Sequence, residues 1–268
     1  MDILDKIIET KKVEVARQKE AVPLSSLLTI GEERLNRQTL SMRQALATSS
    51  SGIIAEFKRR SPSKGWLHPE AKIEDIVPFY AQGGASACSI LTDSDYFGGS
   101  LDDLLKARSL VNIPLLRKDF VIDEYQLYQA KAMGADAVLL IAACLTKEAC
   151  STLAETAHSL QLEVLLEIHS TEELDYINPY VDMLGVNNRN LGSFHTDIEN
   201  SFRLIEEMQR YTEANNFSPL LIAESGISQT ESVKALRKAG FGGFLIGETF
   251  MKTDNPGETL AAFINALA

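Results

Sequence analysis

Long apolar runs are absent from this 268-residue chain. Nothing in it approaches the ~18 uninterrupted apolar residues of a membrane-crossing helix, so no membrane partner is expected. Cysteine is scarce: Cys88, Cys144 and Cys150 leave one unpaired in any disulfide scheme and form no Cys-x-x-Cys. That usage points to a reducing, cytoplasmic setting and away from a zinc site. His68, His158 and His195 lack metal-ligand spacing, so no metal is expected. The opening Met1-Asp2-Ile3-Leu4-Asp5-Lys6 lacks the basic and apolar regions of a secretory signal. Basic residues are the minority, 26 against 37 acidic, for a net charge of −11. Such a surface excludes wrapping a long polyanion, although an acidic protein can still hold a basic pocket. Sixteen Gly and eight Pro are ordinary counts and exclude collagen-like or low-complexity structure.

What is present is a rhythm. Short apolar runs recur at Ile53–Phe57, Ala87–Leu91, Ile113–Leu116, Ala137–Ile141, Val164–Ile168, Met183–Val186, Leu220–Ala223 and Phe244–Ile246. Continuous rather than alternating apolar runs suit parallel strands covered on both faces. Helical punctuation separates them. Ser100 with Asp103, Ser170 with Glu173, and Ser228 with Glu231 have capping-box spacing. Gly83-Gly84, Gly134 and Gly240 fall where helices should stop before the next run. Aligning Gly84, Gly134 and Gly240 brings Ile90, Leu140 and Ile246 into register, at separations close to two and four units of roughly 26 residues.

Eight strand–helix alternations leave two solutions, a doubly wound sheet or a closed barrel. A dinucleotide fold should carry Gly-x-Gly-x-x-Gly after its first strand. Here the first strand runs into Lys58-Arg59-Arg60-Ser61-Pro62-Ser63, so an α/β fold of (β/α)8 TIM-barrel type is expected. Residues 1–268 read as a single barrel domain, with 1–50 as an N-terminal helical extension. Within it, 2–20 form an amphipathic helix carrying Ile3, Leu4, Ile7, Ile8, Val13 and Val15. Whether that helix merely caps one end or helps cover substrate stays open.

In such a barrel the chemistry sits at the carboxyl ends of the strands. Side chains at i and i+2 point the same way along a strand, so Glu56 and Lys58 share a face, as do Asn187 and Arg189. Lys118 ends the third strand, Glu167 the fifth and Glu224 the seventh. His169 reads as a surface or helix-start histidine out of phase with Glu167, and nothing nearby marks Cys144 as an activated thiolate. Ser225-Gly226 after strand seven and Gly247-Glu248 after strand eight place Gly where backbone N–H groups can approach a phosphate. The Glu248 carboxylate is expected to point away from it.

With these residues assembled, the chain resembles the indole-3-glycerol-phosphate synthase family along essentially its whole length. The resemblance is carried by Ile54-Ala55-Glu56-Phe57-Lys58-Arg59-Arg60-Ser61-Pro62-Ser63-Lys64-Gly65, Leu116-Arg117-Lys118-Asp119-Phe120 and Leu166-Glu167-Ile168-His169. Leu91-Thr92-Asp93 with Tyr96-Phe97-Gly98-Gly99-Ser100, Gly185-Val186-Asn187-Asn188-Arg189-Asn190-Leu191, and Ala223-Glu224-Ser225-Gly226-Ile227 complete it. It implies a cofactor-free carboxy-lyase of tryptophan biosynthesis acting on a small sugar phosphate, 1-(2-carboxyphenylamino)-1-deoxyribulose 5-phosphate. Lys118 would be the general acid of ring closure, with Lys58 and Glu167 the acid–base pair of dehydration in an order that stays open. Glu56 and Asn187 would orient lysines and hydroxyls, and Glu224 would join the polar shell. Arg189 and Lys58 would hold the anthranilate carboxylate, while Pro62, Phe97, Phe120 and Leu139 wall the ring. Ser61, Ser225, Gly226, Gly247 and Glu248 would contact phosphate. Asn188, Asn190 and Glu248 are mild departures from the family pattern.

The short stretch after strand eight implies a monofunctional enzyme, expected as a monomer or weak homo-oligomer. Competing readings are a phosphoribosylanthranilate isomerase, which has no use for this lysine–glutamate cluster, and a non-catalytic binding barrel. Nucleic-acid binding through Lys58-Arg59-Arg60 and Lys64 is disfavoured by so small a basic footprint. Gly65 and Gly98-Gly99 make the loops after strands one and two candidates for closure over substrate.

Overall fold

The computed structural model describes residues 3–189 and 196–267, so Asn190, Leu191 and His195 lie outside the described residues. Eight strands follow one another: β1 (Ile53–Phe57), β2 (Ala87–Leu91), β3 (Leu115–Lys118), β4 (Ala137–Ile141), β5 (Glu163–Ile168), β6 (Met183–Asn187), β7 (Leu220–Glu224) and β8 (Gly243–Ile246). Each pairs in parallel with the next, and β8 closes onto β1 through Ile53 opposite Phe244. The fold is a closed (β/α)8 barrel. Only β3 departs by more than a residue or so from its apolar run. It starts after Pro114 and runs on to Lys118.

Strand parity divides the barrel's apolar residues into two cores. Ile54, Leu116, Leu139, Leu165, Met183, Ile222 and Leu245 fill the interior, where Met42 and Leu46 join them. The alternate residues, among them Ile53, Phe57, Val138, Leu140, Val164 and Leu184, pack outward under the helices. This double burial explains why the strands read as continuous apolar runs.

Seven strands are followed by α-helices, but β5 leads only into the 3-10 turn Thr171–Tyr176. The capping-box expectations fare unevenly. Ser100 caps Leu101–Leu110 through a bond from Asp102 N–H at 3.0 Å, while Asp103 turns to Arg59 instead. Ser170 makes no side-chain cap, and the helix at Thr230 is preceded by Gln229 rather than Ser228. The three aligned glycines do share a conformation, with φ of 95° at Gly84, 92° at Gly134 and 121° at Gly240. Each turns the chain out of a helix through the left-handed region that β-carbons disfavour.

The N-terminal extension touches both barrel ends. Helix α1 (Ile3–Ala21) lies at the carboxyl end of the strands and buries Ile7, Lys11 and Val15, whereas Val13 is 51% exposed, against expectation. Positions 7, 11 and 15 share a helix face, which Val13 does not. Lys11 is drawn inward because its ammonium meets Asp93 and Asp119, each at 2.9 Å. The helix Met42–Thr48, capped by Ser41, seals the opposite end.

Candidate active site

Inward-facing residues at the carboxyl ends of the strands line a cavity of about 390 Å³. Register places its charges. Glu56 lies opposite Ser89, Lys118 opposite Leu91, Glu167 opposite Gly185 and Asn187 opposite Glu224. Small residues, Ser89 and Gly185, thus stand beside Glu56 and Glu167. A Cβ on Gly185 would come within 2.2 Å of Glu224 Oε1, and one on Gly247 within 2.4 Å of Glu56 Oε1. Gly247 is therefore needed as space for the Glu56 side chain, a role distinct from the phosphate contact expected of it.

Glu56 is bridged by two lysines: Lys58 Nζ hydrogen-bonds Oε1, and Lys118 Nζ stands 3.8 Å from Oε2. Burial alone would push the Glu56 carboxyl up. The charges of Lys58 and Lys118 outweigh burial and hold it below the usual carboxylate range. Burial works against the Lys118 ammonium too, but Glu56, Glu167 and Glu224 more than compensate and raise it. The cluster accordingly holds an ionised Glu56 and a persistent Lys118 cation.

The other two carboxyls conflict. Glu224 is pushed well above the ordinary carboxylate value by burial and then by the neighbouring Glu167 charge. None of the four oxygens of Glu167 and Glu224 has another hydrogen-bond partner among the described residues. Such tension is typical of functional sites.

Of the expected residues, Glu56, Lys58, Pro62, Phe97, Lys118, Phe120, Leu139, Glu167, Asn187, Arg189, Ser225, Gly226, Gly247 and Glu248 all line the cavity. Phe97 and Phe120 stand as a tilted pair, centroids 6.1 Å apart. Two of the expected residues do not line it. Ser61 is buried outside the cavity, its hydroxyl accepting Lys64 N–H at 3.2 Å, because the short Arg60–Ser61/Gly65–Trp66 ribbon turns it back onto its own loop. Glu224 is buried off the lining, in the space left by Gly185. The Glu248 carboxylate also turns toward the site rather than away, reaching Arg189 at 3.3 Å and Lys64 at 3.8 Å.

Phosphate-type geometry gathers at β7 and β8. Ser225 and Gly226 both adopt left-handed backbone, φ 67° and 76°, a strained state for Ser. Asn188 Nδ2 donates to Ser225 O at 3.1 Å, and Thr249 Oγ1 donates to Ile227 O at 2.8 Å, tying the two loops together. Lys64 and Lys252 bring two cations that the sequence reading had not assigned to the site. Lys252 follows Glu248 by one helical turn, the signal that could have found it.

His169 is misjudged by the sequence reading. It is mostly buried, with Nε2 3.6 Å from Glu167 Oε1 and Nδ1 3.8 Å from Glu173 Oε2. Two residues apart in extended chain, it shares the side of Glu167. Cys88 and Cys150 are covered thiols, pushed by burial up to about 12 and about 11. Of the basic stretch, Arg59 pairs with Asp103 and stacks on Phe57, while Arg60 lies over Trp66. Gly99 lies against Leu91, where a Cβ would meet the carbonyl at 2.2 Å, which marks a tight turn.

Comparison with known proteins adds the family. The family described as indole-3-glycerol phosphate synthase matches residues 4–263. The indole-3-glycerol phosphate synthase of Bacteroides thetaiotaomicron is 60% identical over 268 residues, spanning 99% of both chains. That of Delftia acidovorans is 41% identical, covering 97% of this chain and 98% of its own. Among solved structures, a tryptophan synthase α-subunit from Pyrococcus furiosus superposes with a TM-score of 0.60 at 14% identity, over 82% of this chain and 98% of that one. At that identity the likeness concerns the fold alone.

Proposed function

The chain belongs to the indole-3-glycerol phosphate synthase family, and from that premise we propose how its cavity divides the work. The reaction is a decarboxylating, dehydrating ring closure of 1-(2-carboxyphenylamino)-1-deoxyribulose 5-phosphate in tryptophan biosynthesis. As the arene carbon bearing the carboxylate attacks, the ketone oxygen takes a proton from the Lys118 ammonium, a positioned general acid. Loss of carbon dioxide restores the aromatic ring. Lys58 then protonates the departing hydroxyl while the Glu167 carboxylate removes the proton that completes the indole. Glu56 holds both lysines in place, and Asn187 orients the substrate hydroxyls.

The observation that carries this reading is the bridge of Glu56 between Lys58 and Lys118, with Glu167 lining the same cavity from β5. Pro62, Phe97, Phe120 and Leu139 wall the aryl ring. Arg189 and Lys58 take the anthranilate carboxylate, which competes with Glu248 for the guanidinium. Backbone of Ser225, Gly226, Gly247 and Glu248 receives the phosphate, with Lys64 and Lys252 adding charge. The chain works as one barrel domain on a small sugar phosphate in the cytoplasm, as a monomer or weak homo-oligomer, without cofactor, metal or nucleic acid. Among the described residues no helix is long and apolar enough to cross a membrane. Lys118→Ala is expected to abolish indole formation, read by fluorescence, while the phosphate substrate still binds. Near-normal turnover would refute the assignment, and turnover of only the ribosyl-anthranilate phosphate would favour the isomerase reading.

A further inference from the structure

We propose that His169 is a positioning residue that settles which of the two neighbouring carboxyls, Glu167 or Glu224, carries the shared proton, leaving Glu167 as the ionised base. The inference rests on the reading above that Glu167 is the base of dehydration.

Two buried carboxyls side by side do not both ionise, and something must decide between them. Lys118 does not decide, because both Glu167 and Glu224 act on its charge, together with Glu56. The imidazole of His169 does. Its ion-pair contacts are with Glu167 at 3.6 Å and Glu173 at 3.8 Å, and Glu224 is not among them.

The backbone of His169 is also held in place. Glu173 Oε2 accepts the backbone N–H of His169 at 2.6 Å, and Asn200 Nδ2 donates to its carbonyl at 3.2 Å. Both ring nitrogens are buried without a hydrogen-bond partner among the described residues. A neutral imidazole there would strand a buried donor and acceptor. A cation, by contrast, is flanked by carboxylates on both sides. The charged groups facing it are Glu167 from β5, Glu173 from the following 3-10 turn and Lys118 from β3. Burial and Lys118 oppose the cation, but Glu173 and Glu167 outweigh them and raise the imidazole above its ordinary value. Lys118 acts on both carboxyls, whereas the His169 cation pairs with Glu167 and not with Glu224, and that added charge puts the proton on Glu224.

The test is the pH profile of kcat/KM, read by indole fluorescence. Removing the cation lets the proton move onto Glu167, so His169→Gln is expected to shift the acid limb up by about one pH unit. That is a roughly tenfold loss on the acid side, with the alkaline plateau held within about twofold. Glu173→Gln keeps the ring but removes one flanking carboxylate, and shifts the limb the same way by less. In a Glu224→Gln background there is no competing carboxyl, and His169→Gln is expected to move the limb by less than half as much. An unmoved limb, or a uniform loss across pH, would overturn the proposal. Should His169→Gln fail to fold, the Glu173→Gln profile decides by the same criterion. If Glu167→Gln kept turnover, the base assignment itself would fall. An inactive Glu167→Gln with an unmoved His169→Gln limb would remove only the role of His169.

Discussion

Asp136 and Glu224 are both fully buried carboxyls at ends of barrel strands, and the protein treats them in opposite ways. Asp136 precedes β4 at the amino end. Its Oδ1 accepts from Arg37 at 2.9 Å and Leu40 N–H at 2.9 Å, and its Oδ2 from Arg108 at 2.8 Å and Leu115 N–H at 2.9 Å. Glu163, at the same end, accepts from Ser41 at 2.5 Å and Arg43 N–H at 2.8 Å. Glu224, closing β7 at the carboxyl end, faces the neighbouring Glu167 carboxyl and has no other hydrogen-bond partner among the described residues. One rim satisfies its buried polar groups and fastens the N-terminal extension. The other keeps acids and bases in conflict where substrate is to bind, and accepts strain at Ser225 as well.

The largest expected effect lies at the satisfied rim. Asp136→Asn leaves two arginines facing a neutral group, and a broken buried pair costs about 3–5 kcal/mol. Urea unfolding should report that loss, while kcat of the folded fraction stays near wild type. A loss below about 1 kcal/mol would erase the contrast between the rims.

Lys131 is the exception at that rim, and sharpens the comparison at intermediate size. Its ammonium is buried without a partner among the described residues. Burial, and then repulsion from Arg37, pull it down to about 8 despite Asp136. Between about 8 and the ordinary 10.5 the unfolded chain binds more protons than the folded one, so stability should rise with pH across that window. Lys131→Met is expected to stabilise the protein by about 1–3 kcal/mol at pH 7. That gain should shrink toward pH 10.5, as paired urea titrations at neutral and alkaline pH would show.

The smallest effect is expected at the mouth. Glu248→Ser frees Arg189 and Lys64 from a competing carboxylate and removes repulsion of the phosphate. Partly exposed pairs contribute about 0.2–1 kcal/mol, so KM should fall by roughly 1.4- to fivefold. A KM that rises would mean Glu248 contributes to binding.

The strands were legible because continuous apolar runs of three to five residues have few other homes, and the mouth because parity carries charges inward together. Glu56 with Lys58, and Asn187 with Arg189, followed from spacing of two. What escaped depends on contacts across the barrel. Lys11 has a sequence environment like any charge on an amphipathic helix, and only Asp93 and Asp119, more than eighty residues away, explain its burial. The need for Gly247 as space for Glu56, beside the phosphate contact expected of it, is invisible locally because Glu56 arrives across the β8–β1 closure. Glu224 was recognised as polar, but not that its carboxyl is pushed up, since that depends on burial and on Glu167 arriving from another strand. His169 was an avoidable miss, because spacing of two was there to be read, and so was Lys252, one helical turn after Glu248.

The most direct test of the contrast is Glu167→Gln, measured for both unfolding free energy and turnover. Removing one of two conflicting carboxyls should leave stability unchanged or raise it by about 1 kcal/mol, while loss of the base slows indole formation by at least about 100-fold. A variant that is clearly less stable than wild type yet turns over at a near-normal rate would contradict the account.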